Sequence, residues 1–154
     1  MHIKISTLLF VLVTISGCAR QISSNSVVLP KTQVEVLLHQ CSRPTPDKVD
    51  GFWTVSDRVA QNVDRYIYKV STLQSAGGIA INRPSEYFRQ YGGVLISGKQ
   101  FVYINAIRHA ALGQTELPWR TKAITICDGG ETSWGALYDP ASGSFSQLAV
   151  NGSI

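Results

Sequence analysis

Two different periods of apolar and polar residues run along this chain. Between Val59 and Leu73 the apolar positions are Val59, Val63, Tyr66, Ile67, Val70 and Leu73, a spacing of three to four that gathers them on one helix face. Arg58, Gln61, Asn62, Arg65 and Lys69 fall mostly off that face. Ser56 stands where an N-cap is needed, and Ala76-Gly77-Gly78 ends the run. Beyond about Arg89 the period shortens to that of strands. Gln90–Ile96 and Gln100–Ile107 flank Ser97-Gly98-Lys99 and predict a hairpin. Trp119–Cys127 predicts a third strand, Ser133–Tyr138 a fourth and Ser144–Val150 a fifth. The turns between them are Asp128-Gly129-Gly130 and Asp139-Pro140-Ala141-Ser142-Gly143.

Earlier in the chain the pattern is weaker. Val34, Val36, Leu37 and Leu38 partly alternate between Gln33 and His39, which favours a strand while leaving a short helix open. Arg43-Pro44-Thr45-Pro46 breaks regular structure. No internal repeat and no low-complexity tract occurs. Residues 34–154 therefore predict one α+β domain, an amphipathic helix packed on an antiparallel sheet of about five strands. A cystatin-like arrangement suits this order as an architectural analogy, without functional content.

The amino end follows a different logic. Lys4 precedes an apolar run from Ile5 to Ile15, interrupted only by Ser6, Thr7 and Thr14. Eleven residues fall well short of the roughly 20 that a membrane-spanning helix needs, and fit a cleavable export signal. Ile15-Ser16-Gly17-Cys18 follows, and it resembles the lipobox of bacterial lipoproteins. The resemblance implies cleavage before Cys18, a diacylglyceryl thioether on its sulfur and acylation of its freed amine. Two or three acyl chains make a stable anchor where one does not. Ala19 stands where retained members of that family carry aspartate, which implies the periplasmic face of the outer membrane.

Composition changes this picture little. The chain has 154 residues, about one domain, with 44% hydrophobic and only 16% charged residues. That excludes a disordered polyampholyte and leaves no basic cluster for nucleic acid. Removing residues 1–17 takes Lys4 away and lowers the formal charge from +4 to +3, spread without clustering.

With Cys18 assigned to lipid, Cys41 and Cys127 form an even pair, which in an oxidising compartment predicts one disulfide. The competing reading makes one of them a nucleophile with His39 or His109 as base, and no Cys-x-x-Cys or similar local pattern supports it. Residues 18–33 read as the lipidated cysteine and a flexible tether, with Val27-Val28-Leu29 as an apolar island able to dock on the domain.

Candidate chemistry is sparse. Asp128 and Glu131 lie three residues apart in a glycine-rich turn, with Asp139 one strand later, and paired carboxylates can serve acid–base work on a glycan. His39 and His109 lack the spacing of a metal site, no Gly-x-Ser-x-Gly elbow occurs, and no motif calls for a cofactor. Among the aromatics Trp53, Trp119, Trp134, Tyr87, Tyr91, Tyr103 and Tyr138, most must fill a core this small. Trp119 and Trp134 are the expected exposed pair, and with Asp128 and Glu131 they make the Gly129–Trp134 turn the expected binding region.

Three functions follow. The first is a membrane-anchored envelope lipoprotein with a small non-enzymatic domain that binds an envelope protein or cell-wall component as inhibitor, immunity factor or assembly accessory. The second is an envelope hydrolase acting on wall glycan through the carboxylates between residues 128 and 139. The third is a purely structural lipoprotein coating the membrane.

Overall fold

The computed structural model describes residues 21–112 and 118–153. The expected signal segment, residues 1–17, and Cys18 lie outside the described residues. The fold is α+β; among the described residues there are two α-helices and a six-stranded mixed sheet in the order β1-β3-β4-β5-β6, β2 also pairing with β3.

The centre of the sheet is the predicted hairpin. β3 (Tyr87–Ile96) and β4 (Lys99–Arg108) pair along their full ten-residue lengths. Ser97 (φ 51°) and Gly98 (φ 72°) both take left-handed backbone at the tip, as a two-residue turn matching strand twist requires. β5 (Ser133–Asp139) adds to β4, and β6 (Ser144–Val150) adds to β5, both antiparallel. The opposite edge of β3 is shared end to end. β1 (Ser26–Val28) runs parallel along Arg89–Tyr91, and β2 (Val49–Trp53) runs antiparallel along Gly93–Ile96.

Both faces of this sheet are covered, so Val102–Ile107 of β4 is buried without interruption. One face carries Tyr87, Tyr91, Val102, Ile104, Ala106, Trp134, Ala136 and Tyr138. They pack on Ala60 and Val63 of α2 (Asp57–Tyr66) and on Ile67 and Val70 of the 3-10 segment Ile67–Thr72. This is the predicted amphipathic helix, and Ser56 Oγ accepts from the Val59 amide as its cap. On the other face, Val34 and Leu37 of α1 (Lys31–Leu38) pack with Leu29 on Val94, Tyr103 and Leu137.

Four expectations need correction. Residues 33–38 belong to a helix, not a strand, and His39 is its C-cap. Val34 and Leu37, one helical turn apart, point inward while Val36 is exposed, and the partial alternation concealed that spacing. Gly92 makes room for this helix, since a Cβ there would lie 2.8 Å from Val34 Cγ1. The tether ends sooner than expected, because residues 26–28 are a strand of the sheet and Leu29 is buried in the core. The sheet accordingly contains one parallel pairing.

The fourth correction concerns Trp119–Cys127, which is not a strand. β4 has β3 on one side and β5 on the other, so the segment has no place beside the central strand. The segment instead lies over the α1 face, where Ile124 packs on Ile107. Cys41 and Cys127 are disulfide-bonded with Cα atoms 5.3 Å apart, fastening the segment to the chain that follows α1.

Candidate functional site

On the α1 face, Gln90, Asn105 and Gly135 occupy one row across β3, β4 and β5. The buried amides of Gln90 and Asn105 would be costly without partners. The segment above supplies them. Gln90 Nε2 donates to the carbonyls of Trp119 and Lys122 (both 2.6 Å), and Gln90 Oε1 accepts from the Ile124 amide (2.9 Å) and Asn105 Nδ2 (3.0 Å). Asn105 Nδ2 also reaches the Ile124 carbonyl (2.9 Å). These side chains thus satisfy backbone that would otherwise have needed a sheet ladder.

Arg43 closes the row at Gly135. Its guanidinium is buried, and all its partners are neutral. Nε donates to Tyr103 Oη (3.4 Å), Nη1 to Ser133 Oγ (2.9 Å) and Asn151 Oδ1 (2.5 Å), and Nη2 to Asn105 Oδ1 and Tyr103 Oη. Gly135 is required here, because a Cβ would stand 2.6 Å from Tyr103 Oη and 3.1 Å from Arg43 Nε. Burial raises the Tyr103 phenol above its ordinary range, partly offset by the Arg43 charge. A cavity of about 130 Å³ beside Tyr103 is lined by Pro44, Thr45, Pro46, Gln147, Leu148 and Ala149.

A second polar cluster sits where the described chain begins. Asp64 of α2 accepts from the Ser23 amide through Oδ2 (2.9 Å). Its Oδ1 accepts from Ser26 Oγ (2.6 Å), Tyr91 Oη (2.7 Å) and Arg89 Nη2 (3.2 Å). The Asp64–Arg89 ion pair is mostly buried, and it holds the chain start against α2 and β3. Burial holds the Tyr91 phenol far above its ordinary range, the Arg89 charge opposing the shift. Beside Asp64 lies a cavity of about 230 Å³ lined by Gln21, Ser23, Gln61, Asp64 and Arg65.

The expected binding residues are not brought together. Trp134 is fully buried on the α2 face, edge-on to Tyr87 with ring centres 5.6 Å apart, and is no surface residue. Its position in β5 sets this, since Ser133–Tyr138 alternate between two covered faces. Trp119 is half-buried against Phe88 (4.5 Å), with the Arg120 guanidinium 4.3 Å over its ring. Asp128 takes left-handed backbone (φ 65°) in the turn, its amide donating to Ser42 Oγ and its carbonyl accepting from Asn151 Nδ2. Glu131 is exposed, and its carbonyl accepts from Tyr87 Oη (2.9 Å).

Asp139 lies at the far end of β5, about 20 Å along the strand from Ser133. Its carboxylate accepts from Ser142 Oγ and the Ala141 amide, which lower its pKa. His109 stacks on Phe88 (3.8 Å), and His39 ends α1. Among the described residues no group of three His, Cys, Asp or Glu side chains could hold a metal ion.

Sequence reasoning passed over Arg43, Asn105, Gln90, Asp64 and Arg89. A signal existed for three of them: Arg89, Gln90 and Asn105 interrupt apolar strand runs, and a polar residue buried on a strand needs a partner. Arg43 and Asp64 gave no such signal. No family model, no curated protein and no solved structure matches this chain.

Proposed function

We propose that this protein is a lipid-anchored lipoprotein of the bacterial envelope whose small domain works by binding an envelope protein or wall component rather than by catalysis. The observation that carries the anchoring is the disulfide. The chain has three cysteines, and bonding of Cys41 to Cys127 leaves Cys18, at the end of the lipobox-like Ile15-Ser16-Gly17-Cys18, as the one available for lipid. An oxidising compartment suits that bond. Among the described residues no helix is long and apolar enough to cross a membrane. Ala19 favours the periplasmic face of the outer membrane.

Glycan hydrolysis by Asp139 paired with the Asp128–Glu131 turn is disfavoured on geometric grounds. A glycosidase pair stands roughly 5–9.5 Å apart across a cleft, whereas Asp139 is separated from the Asp128–Glu131 turn by the length of β5. Intact mass of the protein from its native envelope, with and without reduction and alkylation, tests the anchoring. The expected mass is residues 18–154 plus acyl chains, with two thiols alkylated only after reduction. An unlipidated mass, or a thiol alkylated without reduction, would overturn it.

A further inference from the structure

We propose that the end of the domain bearing Ser23, Arg65, Trp119 and Arg120 lies against the membrane and engages the phosphates of anionic phospholipid head groups; this rests on the lipid anchor at Cys18. The reach of the chain sets the position. Ser23 is fixed to the domain through Asp64 (2.9 Å), and five residue steps separate it from Cys18. Those steps span at most about 17 Å. The head-group layer is itself roughly 6 Å deep, which leaves Ser23 within about 10 Å of its outer edge. This is close to one Debye length at physiological ionic strength. The domain is therefore not on a long leash.

The chemistry at this end suits such a surface. The Asp64 charge is met by Arg89, and both its oxygens are engaged. Arg65 is exposed and lines the adjoining cavity of about 230 Å³ together with Gln21, Ser23 and Gln61, so a guanidinium is free to meet a phosphate at its mouth. Arg120 Nη2 donates to the Ser24 carbonyl (2.8 Å), so a second guanidinium is fixed beside the same stretch of chain. Trp119 lies beneath it, half-buried, as an aromatic at a membrane interface commonly is. The β3–β4 turn points the other way. Ile96 is seven residues along β3 from Arg89, which pairs with Ser26 in β1, a separation of about 23 Å.

The test uses mature lipidated protein in vesicles carrying a head-group nitroxide quencher, with a fluorophore on Ser24→Cys or on Gln100→Cys beside the hairpin tip. In vesicles of about one-third phosphatidylglycerol, quenching at position 24 should exceed that at position 100 by threefold or more. In purely zwitterionic vesicles, and in Arg65→Glu, the difference should shrink. The vesicle comparison needs no charge variant, so a misfolded Arg65→Glu does not weaken the test. Equal quenching at both positions, or a difference indifferent to lipid charge, would overturn the proposal while leaving the anchor intact. Intact mass of the same samples separates the two, because absence of acyl chains would sink the anchor and this orientation with it.

Discussion

At the scale of single residues, the buried charge of Arg43 is the dominant feature of the α1 face. A guanidinium removed from water is costly, and here it is held by oxygens of Tyr103, Asn105, Ser133 and Asn151 without a carboxylate. Taking it away leaves those acceptors buried together with a void. Arg43→Met should therefore lower unfolding free energy by about 1–3 kcal/mol, the cost of leaving buried acceptors unsatisfied. Gly135→Ala tests the same spot from the backbone side, since its methyl would collide with Tyr103 Oη and Arg43 Nε. Overpacking of this kind costs about 1–3 kcal/mol. Urea midpoints of the two variants check both, and an unshifted midpoint for Gly135→Ala would show that the Arg43 cluster can yield.

At the scale of elements, legibility followed local determination. α2 was readable because its apolar face and Ser56 cap agree within one short window, but its end was not. It stops at Tyr66, and the same face continues through the 3-10 segment Ile67–Thr72, short of the expected stop at Ala76-Gly77-Gly78. The β3–β4 and β5–β6 hairpins were readable because glycine-containing turns separate runs of strand formers. α1 was not, because its eight residues offer too few turns to separate helical from alternating order. Trp119–Cys127 has strand composition but finds no free edge on β4, a property of where β5 pairs and not of its own residues. The side chains of Gln90 and Asn105 take the place of that edge. Gln90→Leu should accordingly raise hydrogen exchange at Ile124 and its neighbours by tenfold or more, while the β3–β4 ladder stays protected. Loss of protection throughout the ladder would mean that Gln90 supports the whole sheet, not the segment alone.

For the molecule as a whole, the buried tyrosines set an alkaline limit. Burial raises the phenols of Tyr87, Tyr91, Tyr103 and Tyr138 in the folded state. Each then favours folding fully below the unfolded value near 10, and that contribution is lost as pH rises through the folded value. Urea midpoints should hold through neutral pH and fall steeply above about pH 10, with phenolate absorbance appearing alongside unfolding. A midpoint unchanged at that pH would contradict the burial of these side chains.

Local order in the sequence by itself determined the α+β class, α2, the central hairpin and the pairing of Cys41 with Cys127. Each depends on neighbours along the chain, or on counting, and so needs no knowledge of the third dimension. Tertiary structure alone decided that residues 26–28 close the sheet edge in parallel, that Trp134 is interior, and that Arg43, Asn105 and Gln90 meet across 62 residues of chain. Those outcomes follow from which strand edges are free and which faces are covered. Only the assembled sheet, buried on both sides, sets these conditions.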